Sequence, residues 1–365
     1  MDVALVITEL EPGGAERCLV KLALGLKQRG HQVYVISLAS QPGTGRDQLV
    51  RELNEKEVYP YFLGASSHLD FFRAKRKLKL LLSKLSPEVV QSFLFHANIL
   101  CGTISKHANY KLIAGLRVSD PRRMRQWMLR FNKNQFCQSI CVSHDVAAYA
   151  KHRLAISADK LSVVPNGIDL NTFSRVPVAT ASTLGLTSVP HLLTFIGRLD
   201  IQKGVDLIAN NAKTIMQACP GHNIAIVGDG PSKKILQRAI THAGLDERVH
   251  FYGYREDAAS ILKASELLLF PSRWEGMPNV VIEAMAAKKT VVACPADGVR
   301  DLLSHENRQI AEPHDWSRRV IDLALDRSAC ERIGEANYKV VAESYQLSQM
   351  ISQYENLYRK TMETL

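Results

Sequence analysis

The sequence predicts a parallel α/β protein in two domains, and three observations carry that expectation. The first forty residues alternate strand, glycine-bearing turn, helix and strand. The same alternation restarts after an irregular stretch at 170–190. Residues 267–286 then set a strand, a polar loop and a helix start directly in series. With 365 residues, 46% hydrophobic and 22% charged, the chain is long enough for two ordinary globular domains, and its composition is neither disordered nor fibrous.

The opening unit reads as a strand at 3–7, a loop at 8–14 ending Pro12-Gly13-Gly14, a helix at 15–29 with Leu19, Leu22, Ala23 and Leu26 at helical spacing, and a strand at 33–38. Gly13 and Gly14 follow the carboxyl end of the first strand, where glycine serves either a tight turn or close approach of backbone to a ligand. Their spacing is not the dinucleotide fingerprint, so nicotinamide binding does not follow. The alternation continues through a strand at 88–95, a helix at 97–106, and strands at 111–116, 139–142 and 161–164. His96 falls between strand and helix at the ligand-facing edge of such a sheet. It is placed either to donate to a substrate oxygen or simply to begin a helix.

Charge divides the chain. Residues 1–174 hold 24 Lys and Arg against 14 Asp and Glu, which accounts for the whole net charge of +10, whereas residues 175–365 hold 22 of each. Two basic, partly amphipathic stretches, 71–85 and 117–133, suit an anionic membrane surface. For 71–85 a core helix with a solvated basic face is an equal alternative. No nucleic-acid-binding motif accompanies the charge, so nucleic acid is not an expected partner. The first ten residues lack the basic region of a signal peptide, and no apolar run approaches the ~20 residues that span a bilayer. The expectation is a cytoplasmic protein with peripheral contact at the inner membrane face. Seven scattered cysteines read as reduced thiols, with Cys137 and Cys141 on one face of a buried segment rather than at a zinc site.

The irregular stretch is expected to be the linker, giving domains 1–174 and 175–344 and a final helix at 345–365 with Leu347, Met350, Ile351, Tyr354, Leu357 and Tyr358 at helical spacing. In the second domain a strand at 192–196 leads into Gly197-Arg198-Leu199-Asp200-Ile201-Gln202-Lys203-Gly204 and a helix at 205–219. Arg198, as a fork, and Lys203, as a point charge, can together neutralise a diphosphate beside exposed amides. A strand at 223–227, Gly228-Asp229-Gly230-Pro231, a helix at 233–243, a strand at 250–252 and a helix at 258–264 follow. The glycines there fit a phosphate loop and, equally, an ordinary strand-to-helix turn. After the strand Leu267–Phe270 and the loop 271–278, a helix starts at Asn279, and a strand follows at 290–293. Glu275 in the loop and Glu283 about a turn into the helix can face one ligand over the helix N-terminus, which itself suits a phosphate. The plainer reading is a pair of solvated acids favoured by the helix dipole.

Taken together, Gly13-Gly14-Ala15-Glu16-Arg17, Phe93-Leu94-Phe95-His96-Ala97-Asn98, Val142-Ser143, Val164-Pro165-Asn166-Gly167-Ile168-Asp169, Gly197-Arg198-Leu199 with Lys203-Gly204, Gly228-Asp229-Gly230-Pro231, and Glu275-Gly276-Met277-Pro278-Asn279 ending in Glu283 give the chain its likeness to a family. In this order and separation the chain resembles the retaining glycosyltransferases of the group-one family, family four, with the GT-B fold. The resemblance implies two Rossmann-like doubly wound parallel-sheet domains facing across a cleft, with the C-terminal helix crossing back to the first. It implies a nucleotide-sugar donor on the second domain and an acceptor on the first. Arg198 and Lys203 would hold the diphosphate, Glu283 the ribose hydroxyls, and Glu275 the hydroxyls of the transferred sugar. Gly276, Met277, Pro278, Asn279 and Gly228 would complete the donor site, with Gly13 and Gly14 approaching the phosphates. His96 would contact the sugar near the reacting carbon, making His96, Glu275, Arg198 and Lys203 the catalytic set. Arg117 and Ser143 are the acceptor-side candidates.

The resemblance further implies no cofactor and no metal, and a hexose or N-acetylhexosamine carried by UDP or GDP. The acceptor would be a hydroxyl of a saccharide or lipid-linked saccharide, in cell-surface polysaccharide, lipopolysaccharide or glycoconjugate biosynthesis. The competing readings are a nucleotide-sugar epimerase or sugar phosphorylase of the same fold, a glycoside hydrolase using Glu275 and Glu283, and a non-catalytic sugar-nucleotide-binding module.

Overall fold

The computed structural model describes residues 1–65, 70–106, 108–186 and 191–363. Contacts divide the chain into two units, Met1–Gly167 joined by the last helix, Leu347–Glu363, and Ile168–Gln346. The first holds seven strands: β1 Asp2–Ile7, β2 Gln32–Ala39, β3 Tyr61–Ala65, β4 Val89–Phe93, β5 Lys111–Leu116, β6 Gln138–Cys141 and β7 Leu161–Val163. They run parallel in the order β3-β2-β1-β4-β5-β6-β7. The second holds β8 His191–Ile196, β9 His222–Val227, β10 Val249–Gly253, β11 Leu267–Phe270 and β12 Thr290–Ala293, parallel in the order β10-β9-β8-β11-β12. Both are Rossmann-like, doubly wound sheets. In each, the winding reverses once, between β1 and β4 in the first and between β8 and β11 in the second.

The central strands are buried on both faces, which is why they read as unbroken apolar runs rather than alternating ones. Val3 to Ile7 and Leu267 to Leu269 are wholly inaccessible. On one face of the first sheet, the helix Gly14–Gln28 and the last helix bury Leu19, Leu22 and Leu26 with Tyr354 and Tyr358; on the other, Leu78, Leu82 and Leu100 pack against Val6 and Ile36. In the second unit Ile208, Ile215, Leu236 and Trp316 cover the sheet, and Trp316 Nε1 donates to the Val292 carbonyl at 3.0 Å.

The last helix docks as its apolar stripe implied. Its Ile351 side chain fills the space over Gly25, where a Cβ would collide with it. Arg29 donates to Glu355 at 2.8 Å, to the Ser348 carbonyl at 3.1 Å and to Ser352 at 2.9 Å, and His31 lies 3.1 Å from Glu355. Arg359, Arg29 and His31 together hold the Glu355 carboxyl down at about 2.

Several expectations shift. The unit boundary falls at Gly167, not after Ser174, because Leu170–Ser174 is a helix, capped by the Asp169 carboxylate and tied to the second unit by Lys263, whose ammonium donates to the carbonyls of Ser174 and Val176. The return crossing lies at Gln346/Leu347 rather than 344/345. The expected irregular stretch also contains the helix Ala181–Leu184, closed by a Thr180–Thr183 capping box; 187–190 lie outside the described residues. β4 stops at Phe93 because Leu94 takes a left-handed φ of 69° and begins the helix Leu94–Ile104, putting His96 in that helix's first turn. Cys137 is exposed just before β6 whereas Cys141 is buried within it, so they do not share a buried face. The stretch 71–85 is a core helix with a solvated basic face: Phe71–Leu85 buries Ala74, Leu78 and Leu82. Among the described residues no helix is long and apolar enough to cross a membrane.

Candidate active site

In an open parallel sheet, ligands bind outside the carboxyl ends of the strands at the point where the winding reverses. In the second unit those ends are β8 and β11. The loop leaving β8 carries Arg198 and Lys203, and the loop leaving β11 carries Glu275 to Pro278. Sequence separates these groups by some seventy residues; the reversal of winding makes them neighbours.

Backbone and side-chain bonds fasten the two loops. Arg273 N donates to the Gln202 carbonyl at 2.8 Å and Gln202 Nε2 to the Trp274 carbonyl at 2.9 Å. The Arg273 guanidinium grips Asp206 with bonds of 2.7 and 2.6 Å. Gly204 sits at a φ of 66° directly under the Pro271 carbonyl, so a side chain there would meet both strain and a collision. Within this frame Lys203 Nζ lies 2.5 Å from Glu275 Oε1 and 5.8 Å from the centre of the Phe270 ring. Glu275 is buried and Lys203 mostly so. Arg198 stands two-thirds exposed, with Nε 2.5 Å from Asp200, whose other carboxylate oxygen accepts from the Lys203 amide at 3.1 Å.

Gly228 packs against the loop that leaves β8. At a φ of 139° its Cα rests against the Gly197 carbonyl, and the loops leaving β8 and β9 bond backbone to backbone, Leu199 N to the Asp229 carbonyl at 2.9 Å and Ser232 N to the Leu199 carbonyl at 2.9 Å. The loop after β9 thereby props the one that bears Arg198. On the other side the helix Asn279–Ala286 begins directly after Pro278, so its positive end abuts the loop holding Gly276 and Met277. Glu283 lies in the second turn of that helix, half-buried.

The first unit brings its own candidates to its own switch point. Gly13 and Gly14 follow β1, and His96 follows β4. Gly13 is extended, with φ −146°, and the Glu16 carboxylate folds over it into the space that a Cβ would take. Gly14 opens the helix. Beside His96 the rings of Phe95 and His96 meet edge to face at 5.2 Å, and Arg125 lies over Phe95 at 4.6 Å. Arg117 and Ser143, the acceptor-side candidates, have structural partners: Arg117 bonds Asn166 and, at 3.4 Å, the Tyr354 hydroxyl, while Ser143 caps the helix His144–Arg153 by accepting from Val146 N at 3.3 Å.

Three features escaped the sequence. Glu16 is buried in the first helical turn, and loss of solvent, with Glu9 adding to it against its own backbone amide and Arg117, pushes its carboxyl up to about 7. Ser272, in the loop after β11, buries its hydroxyl with no protein partner. His191, His222 and Glu266 converge at the opposite edge of the second sheet. Glu16 stands in the Gly13–Arg17 stretch, but its burial, like the surroundings of the other features, depends on what the rest of the fold brings alongside.

Two family models tile the chain: Glycosyltransferase Family 4 over residues 12–172 and Glycosyl transferases group 1 over residues 190–326. The chain belongs to the group 1, family 4 glycosyltransferases. Within the family it is 31% identical to the Escherichia coli UDP-Gal:alpha-D-GlcNAc-diphosphoundecaprenol alpha-1,3-galactosyltransferase, over 50% of this chain and 48% of that protein, so the match spans about half of that relative. It is 26% identical to the phosphatidylinositol N-acetylglucosaminyltransferase gpi3 subunit of Schizosaccharomyces pombe, over 84% of this chain and 68% of that protein. The crystal structure of Anabaena HepE in complex with UDP and glucose superposes with a TM-score of 0.84 at 20% identity, covering 99% of this chain and 100% of that one, which fixes the family's GT-B fold for this member.

Proposed function

We propose that the protein is a retaining, metal-independent glycosyltransferase. It moves a hexose or N-acetylhexosamine from a UDP- or GDP-sugar to a hydroxyl of a saccharide or lipid-linked saccharide in cell-surface glycoconjugate biosynthesis. The observation that carries this reading is the grouping of Lys203, Glu275 and Arg198 at the carboxyl ends of β8 and β11, beside the start of the helix Asn279–Ala286. A donor diphosphate would take Lys203 and Arg198 while a sugar hydroxyl takes Glu275, so the resting ion pair is exchanged for two charge-assisted bonds. Glu283 is assigned to the ribose, Gly13 and Gly14 to approach of the phosphates, and His96 to the transferred sugar.

The bond from the anomeric carbon to the phosphate oxygen breaks with oxocarbenium character, and Arg198, Lys203 and the helix end stabilise the departing diphosphate, which is the task a metal would otherwise perform. The acceptor oxygen bonds to the anomeric carbon from the same face and passes its proton to the leaving phosphate oxygen. Calorimetric titration with UDP and with GDP, without metal and then with magnesium, tests the donor half. Saturable metal-free binding of one nucleotide, weakened in both Arg198→Ala and Lys203→Ala, is expected. Binding unchanged in both variants would sink the assignment.

A lipid-linked acceptor is favoured by one further observation. The helix Arg123–Asn132 buries only Leu129, leaving Met124, Trp127 and Phe131 at 76, 65 and 77% exposure among exposed Arg122, Arg123 and Arg130. Trp127 and Phe131 stack at 5.9 Å, and Arg125 of the same helix lies over Phe95, next to His96. Aromatic groups flanked by arginines suit an anionic bilayer surface, and the Escherichia coli relative is named for a diphosphoundecaprenol acceptor. Co-sedimentation with phosphatidylglycerol vesicles is expected to fall about tenfold or more in Trp127→Ser/Phe131→Ser, at about 1.4 kcal/mol per tenfold. Equal sedimentation of the two proteins would point to a soluble acceptor.

A further inference from the structure

We propose that His191, His222 and Glu266 form a binding site for a borderline divalent transition-metal ion, with zinc as the type case, at the edge of the second sheet opposite the donor loops. His191 and His222 open β8 and β9, and Glu266 immediately precedes β11. These are three adjacent strands, so the side chains meet at the amino edge although the chain separates them widely.

Their geometry is that of converging ligands. His191 Nδ1 lies 3.0 Å from Glu266 Oε2, His222 Nε2 lies 3.1 Å from the same oxygen, and all three donor atoms fall within 4.8 Å of one another. A four-coordinate zinc with bonds of about 2.0–2.1 Å spaces its ligand atoms about 3.3 Å apart. Three corners of that tetrahedron are thus nearly assembled. The contact between His222 and Glu266, close as it is, is not directed as a hydrogen bond. Glu266 Oε2 and both ring nitrogens of His222 are buried without a well-aimed partner. Buried polar atoms in that state are costly, and a cation set between them would engage Nε2 and Oε2 together. His191, 57% exposed at its side chain, gives the ion a way in and leaves a fourth position to water.

The charge around the cluster is compatible with a cation. Glu266 supplies one carboxylate oxygen between two imidazole nitrogens, a mixed oxygen and nitrogen donor set of the kind zinc takes. Arg248 is nearby but engaged by backbone, donating to the carbonyls of Met216, Cys219 and His222 at 2.8, 2.7 and 2.6 Å. Lys289 is a second cation close enough to act on Glu266. A bound ion would cross-link β9, β8 and β11 far from the carboxyl-edge loops, and so would act on the stability of the unit and not on the transfer step.

The test uses the full chain without a histidine tag, stripped with a chelator and titrated with cobalt(II), followed by visible ligand-field absorption and then by displacement with zinc. Saturation at one equivalent per chain is expected, with affinity at least about tenfold weaker in His191→Ala, the exposed ligand whose loss spares the fold. Zinc is expected to raise the thermal midpoint of the parent protein and not of the variant, while UDP or GDP binding is the same in both. Absence of saturable cobalt absorption, or the same affinity in parent and His191→Ala, would overturn the site and leave a carboxylate shared by two imidazoles. Since nucleotide binding is read separately, failure here is distinct from failure of the transferase reading.

Discussion

Lys203 is held at three points: its amide donates to Asp200, its ammonium lies near the Phe270 ring, and its charge meets Glu275. Removing it therefore does two things. Lys203→Ala is expected to weaken nucleoside diphosphate binding about 10–100-fold, the worth of one to two charge-assisted hydrogen bonds. It also strands the buried Glu275 carboxylate, so the thermal midpoint falls as well. Arg198→Ala, on an exposed side chain, should lower affinity with the midpoint unchanged. Glu16 gives a residue-level test by pH. Below 4.5 it is protonated in both states; between 4.5 and about 7 the unfolded chain ionises while the folded protein keeps its proton, so stability falls as pH rises through that window. The loss is on the order of 3 kcal/mol at most. Denaturant midpoints at pH 5 and pH 8 should draw apart between the parent protein and Glu16→Gln, the parent losing more; parallel curves would mean that Glu16 ionises normally. That Arg198 and Lys203 share the loop leaving one strand was legible in sequence, because both follow the apolar run of β8. The salt link between Lys203 and Glu275 was not, because it exists only once β8 and β11 lie side by side.

At the scale of elements, what could be read was what each segment declares alone. Leu267–Phe270, the loop after it and the helix from Asn279 appear where the sequence put them, since an unbroken apolar run, a glycine–proline loop and a run of helix formers are local signals. β3 was missed: a half-exposed edge strand, Tyr61–Ala65, has no buried face to impose a pattern. The helix Leu170–Ser174 was missed because its start rests on one Asp169 cap rather than on periodicity. The last helix shows how closely elements can fit. Gly25 admits Ile351, and Gly25→Val is expected to destabilise the protein by about 1–3 kcal/mol through overpacking. Urea unfolding measures this, and an unchanged midpoint would mean that the helix docks more loosely than the packing against Gly25 implies.

Over the whole molecule, the net positive charge belongs to the first 174 residues, and the remainder is neutral. On the proposed function, the basic unit bearing Trp127 and Phe131 would meet an anionic surface, and the neutral unit would leave the attraction of a diphosphate to Arg198, Lys203 and the helix end. The sequence made both sheets legible because doubly wound folds alternate regularly; strand order, which creates both switch points, is a long-range property that no window of sequence contains. The chain leaves the first unit after Gly167 and re-enters it at Leu347, and where it leaves and returns it is clasped: Ile168 N donates to the Tyr345 carbonyl at 2.9 Å, and Ile168 pairs with Gln346. During synthesis the part made first is consequently the last to be finished. Residues 1–167 emerge from the ribosome lacking the helix that covers Leu19, Leu22 and Leu26, and must wait for the second unit to be translated. That unit is one continuous stretch of chain. A fragment of residues 168–346 should fold cooperatively and bind nucleotide by itself, whereas 1–167 should expose apolar surface to a fluorescent dye until a peptide of 347–363 is added; a dye-silent 1–167 would mean that the first sheet closes without its final helix.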